Sequence, residues 1–404
     1  MRDDSALAIM RRMPDPEVSG TCDPRFARVR DAFVEIFEGD MEVGAGLSVV
    51  IDGEPVIDLW AGWADGAQTR PWEAGTIVNL YSVGKALTAV CALRCAEAGL
   101  IDFDAPVARY WPEFAQAGKA TLPVRYLLTH QGGLPAVYRP LPPGTMLDWG
   151  AMTSALAETT PWWEPGTAHG YHVNTYGFLA GEVVRRVTGK SLGTYFRDEI
   201  ANPGGIEFHI GFGPELDEIC AEVLPTKVVP GVPARAAAIP SGDYDSLTGL
   251  DRMRAGAYRN PATLSGGGVV NSREWRAAEV PSTNGHGNAR GVARIYGALA
   301  ADGEVGGTHI LGPEWRDRAI SEHVYGEDMI LGRNTRFGLG FQLTMPERKL
   351  GPNPRAFGHF GAGGSLGFGD PDARLGFGYV MNQGRAGWQH PHIRKLIDTV
   401  YELL

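Results

Sequence analysis

The chain has 404 residues, a length that the usual domain size divides into two domains or one domain carrying a large insertion. Charged residues are 21% and hydrophobic residues 44%, and 10 Trp with 15 Phe supply large apolar anchors, which excludes wholesale disorder. Asp plus Glu number 47 against 37 Lys plus Arg, and no basic run is long enough to grip phosphates, which argues against a nucleic-acid partner.

At the amino end, Met1 to Pro14 is rich in Asp and Arg and lacks the apolar core of a secretory signal. No later stretch reaches the roughly 18 apolar residues of a membrane span. The expectation is a soluble, cytoplasmic protein with no membrane partner. Pro24 to Phe37 has the period of an amphipathic helix, with Phe26, Val29, Phe33 and Ile36 near one face and Asp23 as its N-cap. Two alternating segments, Gly46 to Ile51 and Pro55 to Ala61, flank Asp52-Gly53, whose residue types suit the positive φ angles of a type I′ hairpin turn. Ser82 to Ala98 is apolar or small almost all round and Gly99 follows as a stop, so a buried helix is expected. It carries Cys91 and Cys95, which with Cys22 and Cys220 read as buried free thiols, since no Cys-x-x-Cys pair occurs.

Between about Pro106 and Val280 the pattern changes to short helical stretches punctuated by Pro142-Pro-Gly144, Pro165-Gly166 and Pro203-Gly-Gly205. Within it, Thr175 to Thr188 reads as an amphipathic helix stopped by Gly189, and Gly266 to Gly268 as a turn into a strand at Val269-Val270. Strand-like alternation returns at Phe337 to Leu343 and Leu366 to Met381, and a helical pattern from Pro391 to Leu404 closes the chain. This predicts an α+β fold. Residues 1–105 and 281–404 would form a discontinuous domain with an antiparallel sheet, and residues 106–280 a mostly helical insertion.

Three segments suggest chemistry. In Tyr81-Ser82-Val83-Gly84-Lys85, Ser82 would stand in the first helical turn, where free N–H groups favour developing negative charge. Lys85 is one turn on, and a buried ammonium loses protons easily, so Lys85 can serve as a base for a Ser82 nucleophile. The bland alternative is a serine cap and a lysine reaching water. Tyr171 lies just ahead of the Thr175 helix, either as a packing residue or as a phenol whose pKa Lys85 and the helix terminus lower. Asn174 reads equally well as that helix's N-cap. Gly358-His359-Phe360-Gly361-Ala362-Gly363-Gly364-Ser365 implies close approach to backbone before a strand, by a substrate or by sheet packing.

Together these segments resemble the serine β-lactamase and penicillin-binding-protein superfamily, most closely its carboxylesterase branch, the family VIII esterases related to class C β-lactamases. The likeness spans most of the chain and includes Leu127 to Pro135, Pro165-Gly-Thr167 and Asn284 to Arg294. It implies a β-lactamase-like fold, with an antiparallel sheet flanked by helices plus a mostly helical domain. It also implies that Ser82 is the acylated serine, Lys85 its partner and Tyr171 the motif tyrosine. The third family motif, Lys-Thr-Gly, would fall on His359, Phe360 and Gly361, with the backbone N–H groups of Ala362 and Ser82 as the oxyanion hole. Two positions depart from the β-lactamase pattern: Val173 stands where Tyr-x-Asn needs Asn, and His359 replaces the Lys that helps hold a β-lactam carboxylate. A neutral ester loses nothing by that change. Trp162, Trp163 and Tyr138 are candidates for an apolar acyl pocket, with plain core packing as the alternative.

The expected function is a serine carboxylesterase acting on short-chain acyl esters, with weak β-lactamase activity as a side reaction. Its alternatives are a β-lactamase or D-alanyl-D-alanine peptidase, an acyltransferase on the same fold, and a non-catalytic binding protein. Gly363-Gly-Ser365-Leu-Gly367 also matches the nucleophile elbow of α/β-hydrolases, but the residues after Ser365 read as a turn and strand rather than the helix an elbow needs. No metal or cofactor is expected, because neither His-Glu-x-x-His nor a phosphate-binding glycine pattern occurs.

Overall fold

The computed structural model describes residues 17–38, 42–227, 239–262, 268–387 and 390–404. Met1 to Pro14, and Gly266 with Gly267, lie outside the described residues. Asp23 accepts a hydrogen bond from Arg25 N at 2.8 Å and starts a short 3₁₀ turn that runs into helix α1 (Ala27–Glu35). Phe26, Val29, Phe33 and Ile36 are buried, as the periodicity requires. Strands β2 (Gly44–Ile51) and β3 (Glu54–Gly62) form the hairpin, with φ of 50° at Asp52 and 82° at Gly53, the two left-handed positions of a type I′ turn. Strand β1 (Ser19–Cys22), absent from the sequence reading, pairs with β3.

The rest of the sheet comes from the far end of the chain: β4 (Val324–Asp328), β5 (Arg333–Phe337), β6 (Gln342–Leu343), β7 (Phe357–Phe360), β8 (Leu366–Asp370) and β9 (Leu375–Met381). These join in the order β1-β3-β2-β9-β8-β7-β6-β5-β4, antiparallel throughout. The expected strand from Phe337 to Leu343 is broken, because Gly338 N bonds Phe341 O and Gly340 takes a φ of 85°, which folds the chain back between β5 and β6. Val269–Asn271 is a 3₁₀ turn, not a strand.

Strand alternation gives the sheet two unlike faces. In β8 and β9, Leu366, Phe368, Leu375, Phe377 and Tyr379 point to one side, into a core closed by α1 and the last helix, α5 (Pro391–Glu402). A fully buried Phe there contributes about 2–3 kcal/mol. The intervening Gly376 and Gly378 point to the other side, where an added Cβ would lie 2.1 Å from Gly297 N and 2.3 Å from Ala289 O. Glycine is therefore what lets helix α4 (Ala289–Ala300) lie directly on the sheet.

Helix α2 (Val83–Glu97) is buried at every position except Arg94 and Glu97 and ends before Gly99, whose φ is 74°. Helix α3 (Thr175–Thr188) packs against it and ends at Gly189 with a φ of 72°. All four cysteines are free; Cys91, Cys95 and Cys220 are buried, and Cys22 is half-buried, contrary to expectation. No helix among the described residues is long and apolar enough to cross a membrane.

Candidate active site

Ser82 is buried at the N-cap of α2, with helical φ and ψ of −71° and −5°, and its hydroxyl makes no capping bond. The bland reading of a capping serine is thereby removed. Tyr81 ahead of it holds a φ of 48°, a left-handed conformation that costs a bulky side chain about 1–2 kcal/mol. Strain at that point is offset by bonds around it: Leu80 N donates to Gly285 O at 2.8 Å, and Ser365 Oγ donates to Leu80 O at 3.1 Å.

The Lys85 ammonium does not reach water. Its Nζ lies 2.6 Å from Val173 O, 2.9 Å from Ser282 O and 3.3 Å from Ser82 Oγ, and the side chain is fully buried. Burial holds its pKa well below the usual lysine value of 10.5. The geometry suits both protonation states. A neutral amine has two N–H donors for the two carbonyls and one lone pair for the Ser82 hydroxyl proton, whereas the ammonium has three donors for the same three oxygens. Val173, the departure from the β-lactamase pattern, thus contributes a main-chain carbonyl where no Asn side chain is available.

Tyr171 is buried beside them, with Lys85 Nζ 4.8 Å from the centre of its ring. Burial pushes its phenol above the usual value of 10, and the hydrogen bond with Ser82 opposes that shift. Of the two sequence alternatives for Tyr171, the phenol of lowered pKa is therefore corrected: resting Tyr171 is a neutral donor. Tyr171 Oη is 3.5 Å from His359 Nε2, and His359 Nδ1 donates to Phe360 O at 2.9 Å. Burial, with the charge of Lys85 beside it, drives His359 down to about 3, so this ring is neutral and cannot replace the cation of Lys-Thr-Gly.

The segment after His359 is clamped to the nucleophile. Gly361 has no room for a side chain: a Cβ would lie 2.0 Å from Ser365 Oγ and 2.4 Å from Leu80 O. Gly361 N also bonds Ser365 O at 2.7 Å, and Ala362 opens the next short turn in an exposed position. Ser365 itself is buried, bonded to Leu80, and leads into β8, so the α/β-hydrolase elbow is ruled out by its surroundings. Trp162 and Trp163 pack against the Tyr171 cluster. Tyr138 is 44% exposed and adjoins it through Trp162, on which it stacks at 3.7 Å. Asn174 sits at the N-cap of α3 but does not cap it; its Nδ2 donates to Ala257 O at 2.8 Å.

Several residues that hold the site carry no signal in the sequence. Asp328, at the end of β4 and fully buried, accepts the Tyr171 N–H with both oxygens, at 3.0 and 3.1 Å, and also the N–H groups of Ile330 and Leu331. Thr335 Oγ1 donates to Asp328 Oδ2 at 3.2 Å and lies 2.8 Å from His169 Nε2. Phe337 stacks on the Tyr171 ring with 6.2 Å between centres and 11° between planes. On the other side, His130 Nδ1 accepts from His172 N, and His172 Nε2 accepts from Leu134 N at 3.0 Å. Burial lowers both imidazoles, His172 to about 3, which keeps these nitrogens available as acceptors. Tyr171 is thus fixed on two sides by neutral or acceptor groups.

Among the described residues no group of three or more His, Cys, Asp or Glu side chains is placed to hold a metal ion. A cleft of about 620 Å³ opens elsewhere, lined by Arg94, Glu97, Lys190, Glu199 and His309. Lys190 Nζ bonds Glu199 there, His309 Nε2 lies 2.7 Å from Glu97 and Arg94 donates to the His309 carbonyl, and the cleft contains none of the Ser82 machinery.

The chain is similar to known proteins over most of its length. The beta-lactamase family profile matches residues 33–401. The esterase/beta-lactamase LipL of Mycobacterium tuberculosis is 35% identical over 370 residues, 91% of this chain and 83% of that protein. The crystal structure of a family VIII carboxylesterase superposes with a TM-score of 0.87 at 41% identity, covering 96% of this chain and 100% of that one. A penicillin-binding protein homologue from Caulobacter crescentus gives 0.86 at 35% identity, with the same coverage.

Proposed function

The chain belongs to the beta-lactamase family, and we propose that within it this protein is a serine carboxylesterase that hydrolyses short-chain acyl esters through an acyl-enzyme on Ser82. The observation that carries this reading is the environment of Lys85. A buried amine with two fixed carbonyl acceptors and a serine oxygen at 3.3 Å is poised to take the hydroxyl proton.

In the first step Ser82 Oγ attacks the ester carbonyl carbon as its proton passes to Lys85 Nζ. The Ser82 and Ala362 N–H groups receive the oxyanion, each donor contributing about 3 kcal/mol. Collapse expels the alcohol, which takes the proton from Lys85 by way of the Tyr171 hydroxyl. Water then attacks the acyl carbon and gives a proton to the same pair; collapse breaks the acyl–Oγ bond, the pair returns that proton to Ser82 Oγ, and the acid is released. Lys85 and Tyr171 act as one titrating unit. Trp162 and Trp163 would supply the apolar wall for the acyl chain. The neutral His359 favours esters over β-lactams, whose carboxylate finds no cation there. Intact-mass measurement after rapid mixing with a nitrophenyl acyl ester tests the reading: an added acyl mass that maps to the Ser82 peptide is expected. Hydrolysis without such an adduct, or an adduct on another residue, would refute it.

A further inference from the structure

We propose that Arg333 binds a carboxylate, so that the preferred substrates of this site are acyl esters bearing an anionic group. The inference rests on the esterase reading and adds a substrate class to it. Its basis is strand register. Asp328 and Arg333 face each other across the β4–β5 pair, so both side chains leave the same face of the hairpin. Along β5 that face presents Arg333, Thr335 and Phe337 in alternation, while Asn334 is exposed. Phe337 stacks on Tyr171, Thr335 bonds Asp328, and Asp328 holds the Tyr171 N–H. The third member of the row is therefore set beside Asp328, the residue that holds the Tyr171 N–H.

Arg333 is half-buried there, and Asp328 does not neutralise it by direct contact. Both Asp328 oxygens are taken by the N–H groups of Tyr171, Ile330 and Leu331 and by Thr335. Among the described residues the guanidinium has no carboxylate within ion-pair distance; Nη1 reaches only the Asn334 carbonyl, at 3.3 Å. Burial disfavours its charge, and the groups that feel that charge, after Asp328, are the Tyr258 and Tyr171 phenols.

The other basic side chains around Tyr171 offer no free cation: the histidines are neutral, and Lys85 is engaged by Val173 O, Ser282 O and Ser82 Oγ. His359 and His172 are held at about 3 by burial, and His130 and Lys85 are lowered well below their ordinary values. Arginine stays protonated under the same pressure and offers a planar pair of donors that matches a carboxylate. A half-buried guanidinium without an ion pair, beside a site whose lysine is already engaged by three oxygens, is what selects an anionic ester.

The test compares kcat/KM for two carboxylate-bearing probes with that of their neutral methyl-ester counterparts. One is the nitrophenyl monoester of glutaric acid, with the carboxylate on the acyl side; the other is 4-acetoxybenzoate, with it on the alcohol side. In Arg333→Gln the anionic-to-neutral ratio should fall about tenfold or more for the probe that reaches Arg333, the loss expected when a charge-assisted pair of hydrogen bonds is removed. Arg333→Lys should retain more of the ratio, and Arg333→Glu should fall below Arg333→Gln. Melting curves confirm that each variant is folded. An unchanged ratio for both probes in folded Arg333→Gln and Arg333→Glu overturns the inference, while neutral-ester turnover that still needs Ser82 leaves the esterase reading intact. Absence of any turnover or acyl adduct in the wild type would overturn both.

Discussion

Replacing Gly361 by Ala tests whether the loop after β7 must lie against the nucleophile. The added Cβ would fall 2.0 Å from Ser365 Oγ and 2.4 Å from the Leu80 carbonyl oxygen. Ser365 can swing away only by giving up its 3.1 Å bond to Leu80 O. The Leu80 oxygen is main chain two residues ahead of Ser82, so it cannot rotate aside. Restoring a contact of about 3.2 Å therefore pushes the loop and the Leu80–Ser82 segment apart by roughly 0.8 Å. Overpacking of this kind destabilises a fold by about 1–3 kcal/mol, and a shift near 1 Å at reacting groups lowers turnover about a hundredfold. The assay is kcat and KM on a short-chain nitrophenyl ester, with thermal unfolding followed by circular dichroism. Gly75→Ala serves as the control, because a Cβ there meets nothing within 4 Å. A folded Gly361→Ala variant that keeps kcat within about twofold of wild type would refute the argument that this loop places an oxyanion donor.

Three further outcomes are expected. Because Lys85 acts as the neutral amine and burial lowers its pKa, kcat/KM on a neutral ester should rise with pH along a limb whose midpoint lies below 10.5; a Lys85-dependent limb at or above that value contradicts the assignment. Asp328→Ala removes the acceptor of three N–H groups, two of them buried, and should lower stability by about 3–5 kcal/mol in urea titrations, and a loss under about 1 kcal/mol would mean that Tyr171 is held by other contacts. Glu42 is raised from 4.5 to about 7 by burial, against the opposing pull of Arg385 and the Tyr379 hydrogen bond. Between those values the folded state keeps a proton that the unfolded chain releases. The stability this group contributes is complete below pH 4.5 and is lost as pH rises through about 7, at up to about 1.4 kcal/mol per pH unit. Glu42→Gln should flatten that slope, and an equally steep slope in the variant would point to another group.

Local chemistry made parts of this structure legible. Asp52-Gly53 specified its turn, Gly99 and Gly189 marked helix ends, and the three-residue step from Ser82 to Lys85 set their side chains together because a helix does so by geometry. The antiparallel sheet and its helical flanks followed from alternation and period. What stayed hidden was carried by main chain or by distant partners. Val173 O and Ser282 O hold Lys85 as carbonyls, which any residue type can supply. Asp328 meets Tyr171 across 157 positions of sequence, and its surroundings, Glu327 and Met329, give no hint of a buried acceptor. Of the two readings of Tyr171, the lowered phenol fails because complete burial outweighs the hydrogen bond with Ser82 and the charge of Arg333. The break at Gly338 to Phe341 was missed because alternation alone does not report a glycine turn inside an apolar run.

The measurement that tests the central claim most directly is the initial rate on a short-chain chromogenic acyl ester for wild type beside Ser82→Ala, with both proteins shown to be folded. The account predicts turnover by wild type and its loss in Ser82→Ala, with Lys85, Tyr171 and the Gly361–Ala362 loop in place around a missing hydroxyl. Full activity in folded Ser82→Ala would contradict it and place the nucleophile elsewhere in the molecule.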